Sequence, residues 1–141
     1  MRRVFLGAGA AAVAALAALG GFGLRPVAAQ DAASSPVFFT EKVKPLLEAN
    51  CASCHLGTNR KGGLSMATKA SLLKGGRDGF VIVPGDPAAS LLVQLIRHEG
   101  PAEDPKPMPP PPRTKVSDAD IATITQWIKA GAAMPDDAPA P

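Results

Sequence analysis

Three stretches of the chain repeat apolar side chains at helical spacing. Phe39, Val43, Leu46 and Leu47 recur on one side while Glu41, Lys42, Lys44 and Glu48 hold the other, the pattern of an amphipathic helix. Ser35-Pro36 reads as an N-cap followed by proline at the first helical position, where a missing N–H costs nothing. The spacing therefore predicts a helix from Pro36 to about Ala49, kinked or cut short at Pro45. Leu91, Leu92, Leu95 and Ile96 form a second stripe. Before it, Pro84-Gly85 makes a turn, Asp86 can cap and Pro87 suits the first helical position, which predicts a helix from Pro87 to about His98. Ile121, Ile124 and Ile128 form the third stripe, with Trp127 beside them. Ser117, with Asp120 three residues on, approximates a capping box, and this helix should end near Gly131. Thr68 to Lys74 is at best a short helix closed by Gly75-Gly76, residues 56–63 are irregular, and Val81-Ile82-Val83 is too short to assign. The expectation is an all-α fold with long irregular loops.

The first thirty residues follow a different rule. Arg2 and Arg3 precede an uncharged run from Val4 to Leu24, and Val27-Ala28-Ala29 offers a small-residue cleavage site before Gln30, so residues 1–29 read as a signal peptide. The rival reading is an uncleaved, weakly hydrophobic membrane anchor. Arg2-Arg3-Val4-Phe5-Leu6 also resembles a twin-arginine export motif. Residues 30–35 are a short linker, residues 36–134 the domain, and the Pro, Ala and Asp tail of residues 135–141 is expected to be disordered. Seven prolines fall between Pro101 and Pro112, which predicts a stiff, extended polyproline II path.

Charge changes the picture once the leader is set aside. The whole chain has 15 Lys and Arg against 12 Asp and Glu, but three of the bases are Arg2, Arg3 and Arg25. The mature part is formally neutral. With no Lys/Arg cluster and a single Trp, it carries no footprint for nucleic acid. Membrane association follows only if the N-terminal segment is retained.

The chemistry lies in Cys51-Ala52-Ser53-Cys54-His55, a C-x-x-C-H haem-attachment motif. Two thiols one helical turn apart can reach the two vinyl groups of one haem, and the adjacent imidazole reaches the iron. The cofactor expected is one haem c, covalently held by Cys51 and Cys54 with His55 on the metal. Rival readings are a disulfide, a zinc site or coincidence. A thioredoxin-like pair needs a βαβ setting that is absent, and zinc needs a second pair of ligands where only His98 remains. For the sixth iron position the candidates are Met66, Met108, Met134 and His98. Met108 sits in Lys106-Pro107-Met108-Pro109-Pro110, where proline fixes the backbone and reduces the entropy lost on holding a weak thioether ligand. Met66 and Met134 are core or surface methionines by default. His98 ends the second helix and suits a capping or surface role, and it stands as the alternative distal ligand.

Taken together, Val43-Lys44-Pro45-Leu46-Leu47, the Cys51 to His55 motif, Lys61-Gly62-Gly63-Leu64, Val83-Pro84-Gly85-Asp86-Pro87, Ser90-Leu91-Leu92, Met108-Pro109-Pro110 and Trp127-Ile128-Lys129-Ala130-Gly131 resemble the planctomycete-type cytochrome c domain over nearly the whole mature chain. The resemblance implies a compact all-α fold wrapped around one haem, with His55 proximal and Met108 distal. His98 stands near a histidine often seen in that family. Pro111 and Pro112 depart from the family's Met-Pro-Pro segment.

With both axial positions filled, neither oxygen nor substrate reaches iron, and what remains is outer-sphere transfer of one electron. The function expected is that of an exported, periplasmic electron carrier working between redox partner proteins, and not an enzyme. Two other classes stand against it: a haem enzyme or sensor with a labile distal ligand, and a haem-stabilised interaction module of a larger redox complex.

Overall fold

A computed structural model describes residues 32–100, 103 and 106–136. The leader predicted over residues 1–29 lies outside the described residues, as does the tail beyond Asp136. The fold is all-α, and the one β feature among the described residues is an isolated bridge between Gly76 and Gly79. In chain order the helices are α1 (Pro36–Phe38), a π-helical segment (Phe39–Val43), α2 (Lys44–His55), a 3-10 turn (Lys61–Gly63), α3 (Lys69–Lys74), α4 (Leu91–Arg97) and α5 (Asp118–Lys129).

The first helix starts where its cap predicts, with Ser35 Oγ accepting from the Val37 amide at 3.2 Å. It does not end near Ala49. Pro45 has no N–H to donate and would clash in a regular turn. The turn before it widens, so that the Lys44 N–H reaches back to the Phe39 carbonyl, and the helix continues to His55. Leu56, in extended conformation, ends it.

The second predicted helix is shorter than its sequence signals suggest, covering Leu91–Arg97 only. Asp86 Oδ1 accepts from the amides of Ala88 and Ala89, both at 3.0 Å, and this closes a separate turn over Pro87 to Ala89. Ser90 then breaks the helical path at ψ 111°. Its buried hydroxyl accepts from the Val83 amide at 2.9 Å and donates to the Asp86 carbonyl at 2.8 Å. The proline-rich stretch also departs from a straight polyproline path, because the Arg113 amide donates to the Pro110 carbonyl at 3.1 Å and closes a turn. Of the tail, Asp136 pairs with Lys69 at 2.7 Å.

α5 begins as its cap predicts, with Ser117 Oγ accepting from the Asp120 amide, and α3 opens on a reciprocal box between Thr68 and Ser71 that the sequence reading did not single out. Gly75 closes α3 at φ +83°, and a Cβ there would collide with the backbone of Gly79 and Phe80. The core lies between the first helix and α5. Trp127 is fully buried, its ring 5.4 Å from that of Phe39, and its Nε1 donates to the Ala133 carbonyl at 2.9 Å. Val43 and Leu47 on one side and Ile121, Ile124 and Ile128 on the other complete the contact. Trp127→Ala empties the largest core position and leaves that carbonyl without its donor, an expected loss of about 3–5 kcal/mol. Urea unfolding checks this; a midpoint unchanged from wild type would show that the core does not depend on the indole.

Candidate functional site

The extension of α2 past Ala49 decides the site. Residues 51, 54 and 55 are spaced three and four apart, so on a helix they share one face. That face looks into a cavity of about 350 Å³, lined by Cys51, Cys54 and His55 from α2, by Leu64, Met66 and Val81, by Leu91, Leu92, Leu95 and Ile96 around α4, and by Met108, Pro109 and Pro110. The volume and the apolar lining are those of a small-molecule or cofactor site.

Each chemical group is held by backbone contacts. The His55 carbonyl accepts from the Met66 amide at 2.9 Å, which folds the 56–66 loop beneath the end of the helix. The Nδ1 atom of His55 is buried without a hydrogen-bond partner, an uncommon state for a buried polar atom. Burial lowers the His55 pKa below the ordinary histidine value; the backbone of Leu64 and Lys61 works against this, and the Lys61 charge adds to it. A neutral imidazole is the form that binds metals. Met108 is half-buried, packs against the core and donates its amide to the Leu95 carbonyl at 3.0 Å.

The cysteines are not bonded to one another. Burial pushes the Cys51 thiol up to about 11, a rise moderated by the nearby Arg113 charge and reinforced by Cys54. A raised pKa keeps the thiol protonated at neutral pH. At a pH below the pKa, the thiolate population falls about tenfold for each further rise of one in the pKa. Iodoacetamide at pH 8 should therefore label Cys51 in the unloaded chain, kept folded by a stabilising osmolyte, about a hundredfold more slowly than in denaturant. Equal rates, read by peptide mass mapping, would contradict this burial.

Of the other distal candidates, Met66 is fully buried and lines the cavity, whereas Met134 is buried in the core away from it. His98 caps α4 in the left-handed region at φ 62°, exposed, and is not among the lining residues. Four cations that spacing did not single out also line the cavity: Lys61, Arg77, Lys106 and Arg113. Among the described residues Asp78 is the one acidic side chain in the lining, and it pairs with Lys106 at 3.0 Å. The rim is therefore positive although acids and bases balance over residues 30–141.

Residues 51–112 match the family model described as Planctomycete cytochrome C. Over those residues the chain is similar to the planctomycete cytochrome c domain. The match runs from the first cysteine of C-x-x-C-H to the end of the proline run. It is narrower than the sequence resemblance, since Val43 to Leu47 and Trp127 to Gly131 lie outside it. Neither the curated proteins nor the solved structures compared with the chain include a significant match. A planctomycete cytochrome c domain is a haem-binding electron-transfer domain, and the residues present suit that group. Two thiols and an imidazole with an unpartnered Nδ1 stand on one helical face, beside an apolar cavity whose cationic rim complements a macrocycle bearing carboxylates.

Proposed function

We propose that the protein is an exported one-electron carrier whose single haem is bound through thioethers to Cys51 and Cys54 and ligated by His55 and Met108. When bound, the haem supplies a one-electron iron couple. The chain's own residues do the rest. The two thiols fix the macrocycle to α2, and His55, neutral in its desolvated setting, offers its nitrogen to the metal. Leu64, Val81 and the α4 leucines exclude water, which favours the less charged reduced state. Lys61 and Arg77 at the rim offset the charge of the macrocycle's carboxylates.

One observation carries this reading: the motif face of α2 and the Met108 loop line the same apolar cavity. Export is supported by Arg2-Arg3, the uncharged run from Val4 to Leu24 and the small residues before Gln30. Among the described residues no helix is long and apolar enough to cross a membrane.

Optical spectra of the purified protein in both redox states test the proposal. A six-coordinate low-spin centre with a methionine–iron charge-transfer band in the oxidised form is expected. A five-coordinate high-spin centre would favour a haem enzyme or sensor instead.

A further inference from the structure

The loop that carries Met108 is fastened on both sides of the cavity. On one side, the Met108 amide bonds to the Leu95 carbonyl of α4 at 3.0 Å and Lys106 pairs with Asp78, in the loop after α3, at 3.0 Å. On the α2 side, the turn from Pro110 to Arg113 projects the Arg113 guanidinium back to the motif helix. Its Nη1 donates to Ser53 Oγ at 2.8 Å and its Nη2 to the Ala49 carbonyl at 3.4 Å. Ser53 stands between the two cysteines, so the contact joins the Met108 loop to the haem-attachment segment itself.

We infer that Arg113 is a positioning residue that clamps the Met108 loop to α2 and so sets how readily that side of the cavity opens. A planar guanidinium engages two acceptors at once, which a lysine ammonium does not reproduce. Both Arg113 and Ser53 are exposed, and exposed polar contacts add little to global stability. The effect therefore belongs to local opening of the loop, a low-energy event separate from unfolding. The link to iron ligation rests on the proposed His/Met reading, whereas the clamp itself does not.

Hydrogen exchange of the Met108 amide in the full-length haem-loaded protein tests the clamp without assuming a ligand. Arg113→Ala should speed that exchange about tenfold, the size expected when a charge-assisted hydrogen bond holding a loop is lost, while exchange in α5 stays unchanged. Arg113→Lys should restore only part of the protection. Ser53→Ala, a small exposed change that leaves the fold intact, should give a smaller effect in the same direction, and adding it to Arg113→Ala should give no further increase. Exchange within twofold of wild type in both Arg113→Ala and Ser53→Ala would overturn the clamp. A shifted reduction potential with unchanged exchange would also overturn it, placing Arg113 on the macrocycle's carboxylates. Faster exchange in a protein whose charge-transfer band does not depend on Met108 would uphold the clamp and reject the His/Met reading.

Discussion

Met108→Ala is expected to abolish the methionine–iron charge-transfer band of the oxidised protein and to lower its reduction potential. A thioether is a poorer donor to ferric iron than a nitrogen or oxygen ligand, so losing it favours the oxidised state. Axial ligands move haem potentials over a span of about 0.8 V, and a fall on the order of 0.1 V is expected here. Two companion variants make the result specific. Met66 lines the same cavity and is fully buried, so Met66→Ala should cost about 2–5 kcal/mol of stability and keep the band. His98 is exposed at the end of α4, and His98→Ala should leave both band and potential in place. Loss of the band in Met66→Ala, with its survival in Met108→Ala, would move the distal ligand to Met66. A response to His98→Ala alone would make the centre bis-histidine.

Replacing both Cys51 and Cys54 by serine should have the largest effect on the fold. Without thioethers the haem becomes extractable into acidified organic solvent, and the chain is left with an apolar cavity of about 350 Å³. At about 24 cal/mol per Å³, an unfilled cavity of that size costs on the order of 8 kcal/mol, an upper bound because water enters at the charged rim. That is comparable with the whole stability of a small domain. The double variant should therefore lose helical circular dichroism at temperatures where wild type keeps it. Each single variant, held by one remaining thioether, should keep its colour through extraction. A double variant that melts like wild type would show that the chain packs without the macrocycle.

The sequence was legible where structure is set locally. α5 forms as expected because the Ser117 cap and the stripe of Ile121, Ile124 and Ile128 agree, and nothing in the surroundings opposes them. The first helix outruns its signals because Pro45 argues for a break that one widened turn absorbs. Long-range packing of Phe39, Val43 and Leu47 holds the chain on its course, and no local pattern records that. At Pro87 the start signals are real, but the Ser90 hydroxyl bonds to the Val83 and Asp86 backbone and delays the helix to Leu91. The same division runs through the site. Cys51, Cys54 and His55 stand on one turn and are read from spacing, and Met108 is marked by its flanking prolines. Lys61, Arg77, Lys106 and Arg113 come from separate loops and meet only in the folded chain. The even balance of 12 bases and 12 acids over residues 30–141 hides their local surplus.

Intact-mass spectrometry of the full chain, made in a host competent for cytochrome c maturation and read alongside its pyridine haemochrome spectrum, tests the central claim most directly. The account predicts one haem per chain, retained under denaturing conditions, with neither cysteine open to alkylation and a spectrum of two-thioether type. A colourless chain whose Cys51 and Cys54 alkylate freely, or are joined as a disulfide, would contradict it.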